Sequence, residues 1–166
     1  MDMFSNRLRM LLFACFLGSA SFFAVQGETW SREQGVIAGP VEAQVIRVID
    51  GDTLLVEARP WPQQRIEVYV RLRGIDTPEL RARCAQSRNA ALQAKKLLAD
   101  IASENPTLWL RDISGDKYFG RIVADVTFAS GVNPAEALLF AGYARTYDGG
   151  RKDGETCSAV NETAFP

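Results

Sequence analysis

The stretch "RIEVYVRLRGI" at residues 65–75 constrains the fold of this chain more than any other part of the sequence. Polar and apolar residues alternate in it without a break as far as Arg73. In an extended strand every second side chain lies on the same face, so the pattern predicts a strand with one buried face. The buried face is predicted to contain Ile66, Val68, Val70 and Leu72. The opposite, polar face then carries Arg65, Glu67, Tyr69, Arg71 and Arg73.

Four further strand patterns and two helix patterns surround this stretch. Strands are predicted at residues 41–48, 53–58, 107–113 and 121–129. The first of these strands places Val41, Ala43, Val45 and Val48 on one face. A turn at Asp50 and Gly51 predicts a hairpin between the first two strands. The alanine- and leucine-rich stretch 80–106 predicts a helix that Asn105 and Pro106 stop.

A second helix is predicted where the sequence reads "NPAEALLFAG". Asn133 is suited to its cap, Pro134 to its first position, and Glu136 to the capping-box position. Gly142 is suited to its end. The order of three strands, a helix, two strands and a helix predicts an α+β fold, a five-stranded OB-type β-barrel decorated by two or three helices.

The first 40 residues differ in composition from the rest of the chain. Two arginines precede an apolar run at residues 10–25, which is shorter than the roughly 20 residues of a membrane span. Cleavage after Gly27 would put small residues at the two positions that a signal peptidase inspects, so residues 1–27 are predicted to be a signal peptide, with an uncleaved anchor as the alternative. Residues 28–40 are predicted to be a linker, 41–157 the folded domain and 158–166 a flexible tail. A cleaved signal predicts a periplasmic or secreted protein.

Charge and cysteine content narrow the possibilities further. The chain has 19 basic and 20 acidic residues, so a polyanionic partner would have to be met by a local basic patch. Of three cysteines, one lies in the predicted signal peptide, which leaves Cys84 and Cys157. An even pair in an exported protein favours a disulfide between them, with two free thiols as the alternative.

Histidine is absent from the sequence. Its absence excludes Ser-His-Asp and Cys-His catalysis, histidine general bases and the usual zinc hydrolase sites. An enzyme with this sequence would have to work with carboxylates, arginine, lysine, tyrosine and an oxygen-ligated metal ion.

Two aspartates end neighbouring strand patterns. Asp52 follows the hairpin turn and Asp76 follows the strand at 65–75, so the two carboxylates converge at one rim if these strands pair. Thr77 adds a hydroxyl and a backbone carbonyl, and Glu79 adds a further carboxylate. A set of hard oxygen donors suits Ca²⁺ or Mg²⁺. Each motif also has a purely structural interpretation: residues 50–52 as an ordinary turn, and residues 76–79 as the cap and first turn of the helix.

Two arginines accompany these carboxylates. Arg71 precedes Asp76 by five residues, and Arg121 opens a strand after a loop that contains Lys117 and Tyr118. A guanidinium group binds phosphate through two hydrogen bonds and neutralises the charge that builds on phosphorus during hydrolysis. A carboxylate such as Glu79 can orient or deprotonate a water molecule. Together these residues predict a phosphodiesterase site that needs no histidine.

The motifs "VIDGDT", "RLRGIDTPE", "DKYFGR" and "NPAEALLFAGYAR" resemble those of the staphylococcal nuclease (thermonuclease) family in order and approximate spacing. The resemblance covers about residues 41–148. It implies an OB-type barrel and a monomeric Ca²⁺-dependent endonuclease. Such enzymes cleave DNA and RNA with little sequence preference, favour single strands and leave 3′-phosphates.

The resemblance also implies a role for each matching residue. Asp52 and Asp76 match carboxylate ligands of Ca²⁺, and Thr77 matches a ligand through its backbone carbonyl. Arg71 and Arg121 match the phosphate-binding arginines, and Glu79 matches the carboxylate on the attacking water. The expected substrate-binding residues are Lys117, Tyr118 and Tyr147. Lys117 and Tyr118 match residues near the terminal phosphate of a bound nucleotide, and Tyr147 falls near the tyrosines that stack on the nucleotide.

The sequence departs from the family pattern at several places. The usual family loop reads Asp-Lys-Tyr-Gly-Arg, and here Phe119 is inserted before the glycine, where it could displace Arg121. The domain is slightly acidic, which predicts substrate binding that is strongly sensitive to salt. A non-catalytic OB-type module that binds single strands or saccharides is the alternative function.

Overall fold

A computed structural model describes residues 35–150 of the chain. Within this range the chain forms seven strands and two helices. They are β1 (Val41–Val48), β2 (Thr53–Arg59), β3 (Ile66–Leu72), β4 (Ile75–Asp76), α1 (Ala85–Glu104), β5 (Thr107–Gly115), β6 (Arg121–Phe128), α2 (Pro134–Phe140) and β7 (Arg145–Thr146).

Five of these strands close into a barrel in the order β1-β2-β3-β6-β5. The pairs are antiparallel except for β3 and β6, which run parallel. The two remaining strands, β4 and β7, form a separate two-stranded antiparallel sheet. The predicted five-stranded OB-type barrel with helices is therefore confirmed. Neither helix of residues 35–150 has the length and apolar character that crossing a membrane requires.

The core fills the barrel and extends to the helices. Its buried side chains come from all five barrel strands, with Ala43 the most buried residue of β1, together with α1 and α2. They include Leu54, Val56, Val70, Leu72, Leu98, Leu108, Leu110, Phe128 and Leu138. In β1 the register shifts between Val45 and Arg47. This bulge adds one residue to the strand and turns Val48 back toward the core, as the sequence predicted.

The start of β3 departs from the predicted pattern. Val70 and Leu72 are buried, but Ile66 is 48% exposed. The reason is the length of the neighbouring strand, because β6 pairs only with residues 69–72 of β3. Ile66 lies beyond that pairing, so its side chain is not covered.

The first helix begins later than the cap interpretation of residues 76–79 requires. Helix α1 starts at Ala85, and residues 77–84 are not helical. Asp76 instead pairs with Arg145 across the β4–β7 sheet, and the backbone N–H of Thr77 donates to Asp52 Oδ2 at 3.3 Å. These contacts hold the chain extended, so the interpretation of Thr77 as a helix cap was wrong.

The second helix has the predicted ends. The Asn133 side chain accepts hydrogen bonds from the backbone N–H groups of Ala135 and Glu136, and Pro134 occupies the first helical position. The Asn133 amide also donates to Glu136 Oε1 at 3.0 Å. The chain leaves the helix at Gly142, whose N–H donates to the carbonyl of Leu139. Local sequence signals thus determine both ends of α2.

The turn between β1 and β2 packs closely against its neighbours at Gly51. A Cβ atom added there would lie 2.7 Å from Ala94 Cβ and 2.7 Å from Thr77 Oγ1. We therefore expect Gly51→Ala to force the turn away from α1 and from Thr77 and to destabilise the fold by about 1–3 kcal/mol. Urea unfolding measures the change in stability. Gly115→Ala is the matched control, because no atom lies within 4 Å of the added Cβ there. Equal stability of the two variants would contradict the packing argument.

Candidate active site

A cavity of about 900 Å³ opens at one rim of the barrel. Eight of the nine predicted catalytic, metal and substrate residues line it. They are Asp52, Arg71, Thr77, Glu79, Lys117, Tyr118, Arg121 and Tyr147. The ninth, Asp76, is buried between Ile75 and Thr77, which both line the cavity. The fold therefore gathers residues that are up to 95 positions apart in the chain, from Asp52 to Tyr147.

Arg71 joins the two aspartates. Its Nη1 lies 2.9 Å from Asp52 Oδ1, and its Nη2 lies 2.9 Å from Asp76 Oδ1. Arg71 is opposite Thr53 in the β2–β3 register, which brings it beside Asp52. Both carboxylates are only 4% exposed, so the Arg71 guanidinium group contacts two buried acidic side chains at once. The convergence of Asp52 and Asp76 at one rim is as the sequence predicted.

Burial and the neighbouring polar groups shift the pKa of Asp52 in opposite directions. Burial raises the pKa of Asp52 to about 6, although the charge of Arg71 and hydrogen bonds from Thr53 and Thr77 act to lower it. The negative charge of Asp50 acts in the same direction as burial and also raises the pKa of Asp52. For Arg71, burial disfavours the charged form, but Asp52 and Asp76 outweigh burial and raise the pKa of Arg71. Arg71 is therefore firmly protonated.

A second arginine on Asp76 was not predicted from the sequence. Arg145 Nη2 lies 3.1 Å from Asp76 Oδ2, so each oxygen of this carboxylate contacts an arginine. The contact follows from the β4–β7 pairing, in which Asp76 is directly opposite Arg145. Each of these strands is two residues long, too short for any periodicity that would have indicated it.

Arg121 lies on the same face of the barrel wall as Arg71. In the parallel β3–β6 register Arg121 is opposite Tyr69, and Arg71 is opposite Val123. Residues 69 and 71 share a face because strand side chains alternate, so Arg121 and Arg71 are diagonal neighbours on one face. Arg121 also lines the cavity, so the insertion of Phe119 does not remove it from the site.

Asp116 holds Arg121 from one side. Its Oδ2 accepts from Arg121 Nε at 2.7 Å, and the carboxylate side chain is 7% exposed. Burial alone would raise the pKa of Asp116, but the hydrogen bond and charge of Arg121 lower it below its ordinary value. Among residues 35–150 the Nη1 and Nη2 atoms of Arg121 have no hydrogen-bond partner. They form a two-nitrogen fork at the cavity. Asp116 belongs to the motif "DKYFGR", but its role could not be read from spacing.

The remaining predicted residues lie around the rim. Glu79 is exposed, in the segment between β4 and α1. The guanidinium carbon of Arg71 lies 5.8 Å from the centre of the Tyr147 ring, so this tyrosine supports an arginine. Lys117 Nζ lies 5.1 Å from the centre of the Tyr118 ring.

The donor set at Asp52, Asp76 and Thr77 fits a hard cation. Two buried carboxylates converge on one point, and Thr77 directly follows Asp76 and is itself buried. Oxygen ligands without nitrogen or sulfur are those that Ca²⁺ prefers. In the part of the chain that the structure describes, no three residues of the types His, Cys, Asp and Glu are grouped to hold a metal. A cation here would thus rely on two carboxylates and on neutral oxygen donors.

Several sequence predictions fall outside residues 35–150. They concern the signal peptide at 1–27, the first part of the linker and the tail. Cys84 lies just before α1, and its predicted disulfide partner, Cys157, lies outside the described residues. The pairing and the domain boundaries therefore stay predictions.

The fold and the site define an OB-type barrel protein with two arginines, Arg71 and Arg121, beside buried carboxylates. A family model described as staphylococcal nuclease homologue matches residues 69–164, which is more than half of the chain. The chain belongs to the staphylococcal nuclease homologue family. The match contains Arg71, Asp76, Glu79 and Arg121, while Asp52 precedes it. A comparison with curated proteins gave no match.

Proposed function

We propose that the protein is a Ca²⁺-dependent nuclease that hydrolyses phosphodiester bonds in DNA and RNA with little sequence specificity. The observation that carries the proposal is the placement of Arg71 and Arg121 on one face of neighbouring strands, beside the buried pair Asp52 and Asp76. A phosphate needs positive charge on several sides during hydrolysis, and this rim can supply it. Membership of the staphylococcal nuclease homologue family supports the same conclusion.

In this proposal Asp52, Asp76 and the backbone carbonyl of Thr77 hold Ca²⁺. The bound ion supplies positive charge beside the scissile phosphate. Arg71 and Arg145 hold the same two carboxylates in the described structure, so they fix the carboxylate orientations before any cation arrives. Preorganised ligands reduce the entropy lost on binding.

The arginines act on the phosphate and Glu79 acts on water. The Nη1 and Nη2 atoms of Arg121 donate to two non-bridging oxygens, and Arg71 stabilises the charge that develops on the same phosphate. Glu79 accepts a proton from the water whose oxygen bonds to phosphorus. The bond from phosphorus to the 5′ oxygen breaks, and that oxygen leaves as an alcohol after taking a proton from solvent. The product carries a 3′-phosphate.

Residues at the rim of the cavity are expected to make the substrate contacts beyond the scissile phosphate. Lys117 and Tyr118 lie in the β5–β6 loop and Tyr147 follows β7, and all three line the cavity. We propose that they contact a single-stranded substrate, which can place its backbone in the cavity without the cost of opening a duplex.

We further propose a periplasmic or secreted monomer with a Cys84–Cys157 disulfide, on the basis of the signal-peptide pattern and the cysteine pair.

The test is release of acid-soluble nucleotides from heat-denatured DNA. We expect release with Ca²⁺ and none with a chelator in excess, because the two carboxylates would then hold only arginines. Refilling the chelated sample with Ca²⁺ should restore release, which controls for inactivation. Binding of single strands without any release under either condition would instead support the non-catalytic OB-type module.

A further inference from the structure

The loop between β5 and β6 presents an aromatic ring that the proposed chemistry does not use. Phe119 is fully exposed, whereas its neighbours Lys117, Tyr118 and Arg121 all line the cavity. Within residues 35–150 the Phe119 side chain makes no ring contact with another aromatic or cationic group. Its ring therefore remains available at the edge of the site.

Backbone hydrogen bonds fix the position of Phe119 in the loop. The N–H of Arg121 donates to the carbonyl of Tyr118 at 3.2 Å, which closes a turn with Phe119 and Gly120 at its centre. Gly120 has a φ of 81°, the value required at the third position of a type II turn. A second bond, from the Asp116 N–H to the Arg121 carbonyl at 3.1 Å, closes the base of the loop. The ion pair between the side chains of Asp116 and Arg121 joins the same two ends of the loop.

Tyr118 is less suited to contact a base than its position suggests. The guanidinium carbon of Arg121 lies 4.6 Å from the centre of its ring, and Lys117 Nζ lies 5.1 Å from the same point. Cations over the ring use its electron-rich face. Tyr118 therefore supports Arg121, and the stacking surface of the loop is the ring of Phe119.

We propose that Phe119 stacks on an unpaired base of a single-stranded polynucleotide, at the nucleotide next to the one whose phosphate lies in the cavity. Aromatic side chains beside cationic grooves bind single strands in this way, because every base offers a flat face. The turn that fixes Phe119 reduces the entropy lost when the base binds. The inference rests on the proposed function for its choice of ligand. It adds a base-binding subsite formed by a residue inserted relative to the family loop.

The test measures binding of a short oligothymidine that contains one 2-aminopurine, in excess chelator so that no cleavage occurs. Stacking quenches the fluorescence of 2-aminopurine, so the wild-type protein is expected to reduce it. Phe119→Ala and Phe119→Leu should weaken binding by roughly 5-fold to 100-fold and abolish the quenching. Phe119→Trp should retain both. Because Phe119 is exposed, all three variants are expected to fold.

Two controls make the outcome specific. Phe140 is also almost fully exposed, at the end of α2 and outside the cavity lining, so Phe140→Ala should bind like the wild type. An oligonucleotide with abasic positions keeps the phosphates, and the Phe119 variants should bind it as the wild type does. Unchanged affinity of Phe119→Ala for the 2-aminopurine oligonucleotide, or an equal loss on the abasic one, overturns the inference.

The inference and the proposed function can fail separately. If wild-type protein cleaves DNA with Ca²⁺ while Phe119→Ala binds normally, the stacking role is wrong and the nuclease proposal stands. If no Ca²⁺-dependent cleavage occurs but loss of Phe119 removes quenching, the stacking role stands and the nuclease proposal is wrong.

Discussion

Arg121→Ala is expected to lower kcat on denatured DNA by about 10³-fold or more, while the fold remains intact. An arginine that stabilises charge on a phosphate in the transition state contributes at this level in other phosphoryl-transfer sites. The substitution also removes the ion pair of Arg121 Nε with Asp116 and the contact with the Tyr118 ring, so urea unfolding of the variant accompanies the kinetic measurement. Initial rates over a range of substrate concentrations separate kcat from KM.

The matched control for Arg121 is Arg111→Ala. Arg111 is an exposed arginine on β5 that does not line the cavity. Its substitution by alanine removes the same charge from the protein as Arg121→Ala does. Its loss is expected to leave kcat unchanged. If Arg121→Ala kept near-normal kcat with normal stability, Arg121 would have no role in the transition state, and the proposed division of labour at the rim would be wrong.

Arg71→Ala is expected to destabilise the Ca²⁺-free protein by about 3–5 kcal/mol. Removal of one partner from a buried ion pair leaves an uncompensated charge, and here Asp52 would lose its arginine partner while Asp76 would keep only Arg145. Ca²⁺ binds the same carboxylates in the proposed site, so saturating Ca²⁺ should restore a large part of the loss. Thermal or urea unfolding with chelator and with Ca²⁺ measures both effects.

Arg65→Ala provides the comparison for this experiment. Arg65 precedes β3 and forms an ion pair with Glu57 at 3.5 Å, but its side chain is 67% exposed. Exposed pairs contribute less than about 1 kcal/mol, and no response to Ca²⁺ is expected. Equal, small losses for Arg65→Ala and Arg71→Ala would show that Arg71 does not compensate the buried carboxylates. A large loss for Arg71→Ala that Ca²⁺ fails to reduce would argue against a cation at Asp52 and Asp76.

The barrel could be predicted because each of its strands carries its own pattern. Alternation in β3 put Arg71 on the polar face, and the hairpin at Asp50 and Gly51 made β1 and β2 neighbours. These local signals placed Asp52 near Asp76 only on the condition that β2 and β3 pair, which the structure shows. The second helix was equally predictable, since Asn133 caps it through its own side chain.

What the sequence did not predict depends on contacts between distant segments. Thr77 and Pro78 are good residues for a helix start, but the Thr77 N–H donates to Asp52 and the helix begins eight residues later, at Ala85. The ion pair between Arg145 and Asp76 joins residues 69 positions apart through strands of two residues each. Local propensity cannot report such contacts, because tertiary structure overrides it.

The parallel pairing of β3 with β6 separates the chemistry of the rim from its recognition. The register of Arg71 and Arg121 is set by the pairing of two strands of the barrel wall, and Arg121 is the residue at which the loop joins β6. Exchange of the exposed side chain at the tip, Phe119, is therefore expected to leave this register unchanged. If the protein has the proposed function, substrate preference can change at the β5–β6 loop, by natural variation or by engineering, while Arg71 and Arg121 stay in register.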